Sequence, residues 1–155
     1  MSKKLIKPVN AVKAGEYSTE ERLMLESEEA VALNDFVIKG SMTSRTSKFY
    51  LEINEKFVCD YIADGLIIAT PTGSTAYGLS AGGPVLYPTL DALVIVPICP
   101  HTLNARPLVV PIDETIKVKT SDKLLSVAVD GYDTTENVKE ILIKTSSKKA
   151  VLAFL

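Results

Sequence analysis

The stretch DGLIIATPTGSTAYGLSAGGP, Asp64 to Pro84, contains the strongest structural signal in this chain. Its first part, Leu66 to Ala69, is wholly apolar, and such a run is typical of a β-strand buried on both faces. The run then changes abruptly to small, hydroxyl-bearing and glycine residues, which contribute little to a core. Small residues allow a backbone to come close to another group. The stretch therefore predicts a buried strand followed by a segment suited to close approach.

A short helix is expected after this strand, near residues 74–81. Residues 71–73 interrupt the strand, and Ser74 or Thr75 can cap a helix through its hydroxyl. Residues 82–84, Gly-Gly-Pro, would end it. The start of a helix presents unpaired N–H groups, which favour the acceptor atoms of a phosphate, a carboxylate or a nucleotide. The pattern leaves a second interpretation open, in which the capped helix only packs against the sheet.

Strand patterns dominate the rest of the chain. Residues 48–54 and 56–62 alternate in polarity around a natural hairpin turn, and residues 93–98 form another continuous apolar run. Further short strands, bounded by Asp, Gly, Pro, Ser or Thr, are expected at 107–112, 115–120, 124–130, 140–145 and 150–154. This spacing predicts a mainly β fold, either a sandwich or a barrel. One other helix is plausible near residues 3–14, where Pro8 argues against continuity.

Composition limits the class of protein. The 155 residues are 46% hydrophobic, enough for one domain with a sizeable core. A net charge of -2 gives no argument for nucleic acid or an anionic membrane as a partner. Without a secretory signal or an apolar run of membrane-spanning length, a cytoplasmic protein is expected. Cys59 and Cys99 lie in apolar surroundings, so both are expected to be reduced and packed in the core. No residue spacing suggests a structural metal.

The opening stretch closely resembles the signature of the NAD kinases, enzymes that phosphorylate the adenosine ribose of NAD to make NADP. Four other stretches resemble that family in the same order: GEYSTEERLML (15–25), ALNDFVI (32–38), PICPHTLNARPLVV (97–110) and VAVDGYD (127–133). They look like the start of the family's C-terminal domain, its Asn-Glu/Asp motif and its two later blocks. The resemblance implies a β-sandwich of two sheets with one or two short helices, which binds the dinucleotide.

The family's N-terminal α/β domain carries a Gly-Gly-Asp-Gly motif, whose aspartate is the catalytic base. This chain has no such motif, because its only adjacent glycines, Gly82-Gly83, are not followed by Asp-Gly. We therefore interpret residues 15–155 as the NAD(P)-binding sandwich, truncated at its C-terminus, and residues 1–14 as a linker or helix from the missing domain. The chain alone is expected to bind NAD or NADP without catalysis. ATP and a divalent cation, Mg²⁺, would act in the complete enzyme.

The resemblance also implies a set of residues that contact the dinucleotide. Asn34 and Asp35 have the donors and acceptors to bind an adenine edge and ribose hydroxyls, although this aspartate is one methylene shorter than the usual glutamate. Residues 75–77 would contribute hydroxyl, backbone and ring contacts, and Ser80 follows about one turn later on the same side. The expected NAD(P)-binding residues are Asn34, Asp35, Asp64, Thr75, Ala76, Tyr77, Ser80, His101 and Asp130.

Three of these residues need separate comment. Asp64 would reach the nicotinamide end of the substrate, in a site partly contributed by a neighbouring subunit, and Ala63 stands where many members have glycine. His101, the only histidine, is expected to shape the pocket wall. A hydrolase triad of Ser74, His101 and Asp130 is disfavoured because TGSTA lacks the Gly-x-Ser-x-Gly elbow. Asp130 either lies near the dinucleotide or only forms a hairpin turn.

Explanations that need no ligand also exist. Asn34-Asp35 could be an ordinary turn or strand end, Asp64-Gly65 a β-turn, and Tyr77 a core aromatic. Two other functions remain open at this point. The sandwich of this family also builds dimers or tetramers, so the chain could be a homo-oligomerisation module. It could also sense NAD(P) without catalysis.

Overall fold

The computed structural model describes residues 3–28, 30–40, 46–121 and 124–154, apart from the side chains of residues 3–8 and 133–137. The described chain forms two antiparallel sheets of six strands each, which pack as a β-sandwich. Its helical elements are α1 (Lys3–Ala14), a 3-10 turn (Gly73–Thr75) and α2 (Tyr77–Ser80). The predicted class, a mainly β sandwich with short helices, is confirmed.

The order of strands in each sheet follows from antiparallel pairing. The first sheet runs β2 (Val31–Ala32), β1 (Ser18–Glu26), β12 (Glu140–Phe154), β9 (Ile116–Thr120), β4 (Ser47–Ile53) and β5 (Lys56–Ala63). The second sheet runs β11 (Tyr132–Val138), β10 (Leu125–Val129), β3 (Asp35–Gly40), β6 (Gly65–Ala69), β7 (Ala92–Ile98) and β8 (Leu108–Pro111). The opening stretch thus supplies a central strand of the second sheet.

Strand β6 is buried on both faces, as its continuous apolar run predicts. Leu66 and Ile68 point into the core between the two sheets. Ile67 and Ala69 alternate with them and belong to a second apolar cluster on the outer face, together with Leu86 from the segment that follows β6. The chain after β6 therefore covers the outer face of its own sheet, and this explains why the flanking strand β7 is also buried along its whole length.

The predicted hairpin around residues 54 and 55 is present. Strands β4 and β5 pair so that Ile53 lies opposite Lys56, which leaves a two-residue loop. Asn54 and Glu55 both adopt positive φ, at 50° and 64°. Two successive left-handed residues are the mark of a type I′ turn, whose twist matches that of the strands it joins.

Helix α1 runs from Lys3 to Ala14 through Pro8, so the expectation that Pro8 interrupts it was wrong. Pro8 is its sixth residue, beyond the first turn, where proline removes a backbone donor that a helix ordinarily uses. Gly15 follows the last helical residue, and its φ of 73° permits the N–H of Glu16 to donate to the carbonyl of Ala11 at 2.8 Å. This is a Schellman-type end. None of the described helices is long and apolar enough to cross a membrane.

Two other expectations need correction. Residues 140–145 and 150–154 belong to the single strand β12, because the polar residues between them lie at a bulge against β1 and not at a turn. Cys99 is exposed, and its φ of 44° places it where the chain turns away after β7. Cys59 is half-buried against the core, and both thiols are free. The prediction of a buried position was therefore wrong for Cys99.

The outer apolar cluster should contribute to stability. Val96 is fully buried. A Cβ added to Gly83 would lie only 2.7 Å from the Cγ2 of Val96, so Val96 directly contacts the segment after β6 that covers the outer face of the sheet. We expect Val96→Ala to lower the free energy of unfolding by about 2 kcal/mol through lost burial and a new cavity. Urea unfolding would measure it. Val109→Ala, at a valine that is 46% exposed, is the control and should change little. Equal effects of the two variants would contradict the packing described.

Candidate nucleotide site

The end of β6 is tied to the turn that carries Asn34 and Asp35. The fully buried Thr70 donates its backbone N–H to the carbonyl of Asn34 at 2.9 Å. Its hydroxyl donates to the carbonyl of Leu33 at 2.7 Å and accepts from the N–H of Gly73 at 3.0 Å. One side chain thereby joins two parts of the chain that are 37 residues apart. The Asn-Asp motif and the opening stretch form one structural unit.

Gly73 shows what comes close to the small residues. A Cβ at this position would lie 2.0 Å from the carbonyl oxygen of Asn34, a distance that no pair of non-bonded atoms can occupy. The close approach made at Gly73 is thus to the protein's own backbone. Any side chain here would push the Asn34 turn away from the segment after β6.

Asp130 holds the same turn from the other side. Its Oδ2 accepts from the N–H of Leu33 at 2.8 Å, and its Oδ1 accepts from the N–H groups of Asn34 at 2.7 Å and Asp35 at 3.1 Å. The backbone N–H of Asp130 donates to the carbonyl of Asp35 at 3.0 Å. Together with the bonds from Thr70, every backbone N–H and carbonyl of residues 33–35 has a partner.

Asp130 also forms a hairpin turn, as one of the two interpretations of this residue predicted. It has a φ of 49° and Gly131 a φ of 84°, and Val129 pairs with Tyr132 across this two-residue loop. The hairpin between β10 and β11 aims the carboxylate at residues 33–35. Its proximity to a dinucleotide stays a prediction.

Asp35 is an unusual acid because it is only 3% exposed. Burial raises the pKa of its carboxyl, and the nearby negative charge of Asp130 raises it further, to about 6. Asn34, its neighbour, is half-buried. At pH 7 the Asp35 carboxylate is therefore mainly ionised and can accept hydrogen bonds.

The predicted helix near 74–81 exists only in part. A 3-10 turn over Gly73–Thr75 is followed by Ala76 with φ -92° and ψ -126°, and α2 spans only Tyr77–Ser80. The chain cannot continue as one helix, because this ψ is far from the helical value of about -42°. As predicted, the glycines end it: Gly82 has φ 86°, and the N–H of Gly83 donates to the carbonyl of Gly78 at 2.9 Å.

The expected hydroxyl cap was wrong. The hydroxyl of the buried Ser74 donates to the carbonyl of Pro71 at 2.6 Å and accepts from the N–H of Leu86 at 2.9 Å. The hydroxyl of Thr75 donates back to the carbonyl of Thr72 at 3.1 Å. Both hydroxyls point to carbonyls of the preceding turn, an alternative open to Ser and Thr near a helix start. Ser74 thus joins Pro71 to Leu86, at the two ends of the segment that covers the outer face of the sheet.

The remaining predicted residues of this segment face outward. Tyr77 is 41% exposed, so it is not a core aromatic. Thr75 and Ser80 are exposed and Ala76 is half-buried. Because Gly73 contacts the Asn34 turn, this exposed surface begins beside the Asn-Asp motif.

Asp64 and His101 form a second group with Thr46. The Nε2 of His101 lies 3.5 Å from Asp64 Oδ1 and 3.1 Å from the Thr46 hydroxyl, which is 3.4 Å from the same carboxylate oxygen. The side chains of Asp64 and His101 are 36% and 55% exposed. Asp64 is the single residue between β5 of the first sheet and β6 of the second. It therefore connects the two sheets and does not form an isolated β-turn.

The two groups lie at opposite ends of β6. Thr70 comes six residues after Asp64, and an extended strand over six residue steps spans about 20 Å. The structure therefore brings Asn34, Asp35 and Asp130 together but keeps His101 with Asp64. A Ser74–His101–Asp130 triad is excluded, because Ser74 is buried in its own hydrogen bonds and the Asp130 carboxylate is occupied by residues 33–35.

Sequence reasoning missed three residues that build these groups. Thr70 and Gly73 lie within the opening stretch, where a polar residue directly after a buried strand was an available signal. Thr46 carried no signal. Among the residues described, no group of three or more His, Cys, Asp or Glu side chains could hold a metal ion. A cleft of about 400 Å³ elsewhere in the fold includes none of the nine predicted residues; it is lined by Ser27, Glu28, Ala30, Phe36, Lys117, Val127, Val138, Glu140, Ile141 and Leu142.

The contact at Gly73 can be tested by adding one methyl group. We expect Gly73→Ala to lower the free energy of unfolding by about 3 kcal/mol, because two backbone segments must move apart. Gly78→Ala is the matched control, since its Cβ would find the nearest atom at 3.6 Å and alanine favours the helix. Urea denaturation of both variants gives the comparison. A Gly73→Ala protein as stable as the control would refute the close approach.

The raised pKa of Asp35 predicts a pH dependence of stability. Its ordinary value is 3.8 and its folded value is about 6, so the folded state holds this proton more tightly than the unfolded chain. The resulting stabilisation is complete below about pH 4 and is lost as the pH rises to about 6, a change on the order of 3 kcal/mol. Asp35→Asn should remove this dependence, whereas Asp113→Asn, at an exposed acid, should keep it. Parallel profiles for wild type and Asp35→Asn would contradict the prediction.

Known proteins of one family match this chain. The family described as the ATP-NAD kinase C-terminal domain matches residues 33–154. An NAD kinase of Ectopseudomonas mendocina is 48% identical, with 81% of this chain and 46% of that protein covered. An NAD kinase of Thermoanaerobacter is 46% identical, with 76% of this chain and 45% of that protein covered. The chain spans about half the length of these relatives.

Solved structures agree in fold. A yeast NADH kinase complexed with NADH superposes with a TM-score of 0.80 at 29% identity, covering 93% of this chain and 46% of that one. An NAD kinase of Archaeoglobus fulgidus in complex with ATP gives a TM-score of 0.83 at 28% identity, covering 94% of this chain and 58% of that one. With the family match over most of the chain, these similarities lead to one assignment: the chain belongs to the NAD kinase family and corresponds to its C-terminal domain.

Proposed function

We propose that this chain is the part of an NAD kinase that binds the dinucleotide. It holds NAD or NADP and orients the adenosine ribose, whose 2′-hydroxyl receives a phosphoryl group from ATP in the complete enzyme. The observation that carries the proposal is the Asn34-Asp35 turn, whose backbone is fully paired and packs against Gly73, four residues before the exposed Tyr77. Because its backbone groups are already satisfied, this turn offers only its side chains to a ligand.

Each of these side chains has a chemical role. Asn34 presents an amide that can pair with the donor and acceptor edge of adenine. Asp35, mainly ionised at pH 7, accepts hydrogen bonds from ribose hydroxyls. Tyr77 offers a flat face on which a base stacks. Thr75, Ala76 and Ser80 line the adjoining surface with two hydroxyls and a small residue that permits close backbone approach.

Asp64 and His101 belong to the nicotinamide end of the site in this proposal. They are joined to each other through Thr46, but they lie about 20 Å along β6 from the Asn34 turn. That separation favours a site completed between subunits, in which Asp64 and His101 serve the dinucleotide held by a neighbouring copy. The functional protein is then a homo-oligomer, and we place it in the cytoplasm.

Catalysis needs more than this chain. The base at the ribose hydroxyl and the loop that holds the phosphate donor belong, in this family, to the Gly-Gly-Asp-Gly domain, which the chain does not contain. We assign ATP and Mg²⁺ to that domain, where the metal would neutralise charge on the transferred phosphoryl group. The present residues bind and orient the acceptor.

Calorimetric titration of the chain with NAD tests the binding site. We expect saturable binding that weakens about tenfold in Tyr77→Ala, because stacking on an aromatic ring contributes roughly 1–3 kcal/mol per base. Tyr17→Ala, at a ring of similar exposure in the segment before β1, should bind like wild type. The same titration with NADP separates a substrate site from a sensor, which should prefer one form clearly. Absence of saturable binding by the folded chain would contradict the proposal for the isolated domain.

Activity is predicted to be absent from the chain alone. Incubation with NAD, ATP and Mg²⁺, followed by an assay for NADP, should give no product above the no-enzyme background. NADP formation by the purified chain would show that a catalytic base lies within these 155 residues and would overturn the division of labour proposed here.

Oligomerisation is the second candidate function, and one surface favours it. Strand β5 forms an edge of the first sheet and exposes Phe57 by 63%, Val58 by 43% and Ile62 by 39%. An open apolar edge strand is a ready pairing surface for another chain. Sedimentation across a range of concentrations would detect self-association, and a strict monomer at high concentration would count against this role.

A further inference from the structure

We propose that Asp130 is a positioning residue, which holds the backbone of residues 33–35 in the shape that presents Asn34 and Asp35 to the dinucleotide without touching the dinucleotide itself. This inference rests on the proposed function for the identity of the ligand. The arrangement of Asp130 around the turn rests on the structure alone.

The hydrogen bonds of Asp130 carry the argument. Its carboxylate accepts from the N–H groups of Leu33, Asn34 and Asp35 at 2.8, 2.7 and 3.1 Å. Its backbone N–H adds a fourth bond, to the carbonyl of Asp35 at 3.0 Å. Bonds from N–H groups to a charged acceptor are stronger than neutral ones. A carboxylate can accept about four hydrogen bonds, and three of those of Asp130 come from the backbone of this turn.

Thr70 closes the opposite side. Its hydroxyl and N–H bind the carbonyls of Leu33 and Asn34, at 2.7 and 2.9 Å. Gly73 packs against the same Asn34 carbonyl. The turn is therefore held on both its donor and its acceptor sides before any ligand arrives. A site ordered in advance loses less entropy on binding, and supporting residues of this kind set affinity through the residues they hold.

The hairpin role and the positioning role can be separated by Asp130→Asn. Asparagine tolerates the left-handed φ of 49° at least as well as aspartate, so the turn between β10 and β11 is kept. Its amide nitrogen is a donor and cannot accept, so at least one N–H of residues 33–35 loses its partner. If Asp130 only forms a hairpin, the substitution should change neither amide exchange at residues 33–35 nor the affinity for NAD.

The first measurement is amide hydrogen exchange by NMR on the chain without ligand. We expect exchange at the N–H groups of Leu33, Asn34 and Asp35 to become at least about tenfold faster in Asp130→Asn, since a bond to a charged group contributes about 1.5–3 kcal/mol. Exchange in β10 should stay unchanged. Asp113→Asn, which removes the same charge at an exposed position, is the control and should leave residues 33–35 as in wild type. Unchanged exchange at these three amides in Asp130→Asn overturns the inference.

The second measurement is a double-mutant cycle for NAD affinity with Asp130→Asn and Asn34→Ala. We expect Asp130→Asn to weaken binding about tenfold in the wild-type background and clearly less, about threefold, in the Asn34→Ala background. Such coupling means that Asp130 acts through Asn34. Equal losses in both backgrounds would show that Asp130 does not act through Asn34, and no loss in either would show a hairpin residue only. Both results overturn the inference.

A failure of the proposed function can be distinguished from a failure of the inference about Asp130. If the wild-type chain does not bind NAD, the proposal of a complete acceptor site in this domain fails. The inference about Asp130 is then decided by exchange: acceleration confined to residues 33–35 supports it, and unchanged exchange overturns it.

Discussion

The hydrogen bonds around residues 33–35 are the constraint on which the candidate site depends. A short turn between strands would ordinarily leave backbone N–H and carbonyl groups to water. Here Asp130 and Thr70 satisfy all six groups of the turn, although they come from a hairpin and a strand end distant in sequence. Three parts of the second sheet are thereby joined at one point. The side chains of Asn34 and Asp35 therefore project from a backbone that is fixed in advance, which in the proposed function would lower the entropy cost of binding a flexible dinucleotide.

The small residues of the opening stretch allow close packing within the protein itself. Gly73 meets the carbonyl of Asn34, and Gly83 lies against Val96, both closer than any Cβ would allow. These approaches let the segment after β6 lie flat on the outer face of its own sheet and bury Ile67 and Ala69. The same segment presents Tyr77 on its exposed side. One side of this segment therefore packs on the sheet, and its other side exposes Tyr77 to solvent.

Asp35 has a cost in stability that its proposed role in binding would explain. A buried carboxyl beside a second carboxylate has a raised pKa, and ionising it at pH 7 destabilises the folded state. A protein selected only for stability would place an apolar or amide side chain there. Perturbed acids of this kind are frequent at functional sites, because the charge is available where water cannot screen it. The charge at Asp35 is consistent with hydrogen bonding to ribose hydroxyls.

Local patterns in the chain were sufficient for strands β4 to β10, the β4–β5 hairpin and the mainly β class, because apolar periodicity and left-handed turn residues act over a few neighbours. They did not predict β1, β2, β3 and β11, and they divided β12 into two strands. The residues that resemble the NAD kinases also pointed to the family that the comparisons support. Folding in three dimensions settled the rest: the split of the helix at Ala76, the exposure of Cys99, and the division of the site residues into groups at opposite ends of β6. The partners of Ser74, Thr70 and Asp130 lie up to 97 residues away. Hydrogen bonds between such distant segments depend on which strands lie side by side in the second sheet, and no local pattern encodes that order.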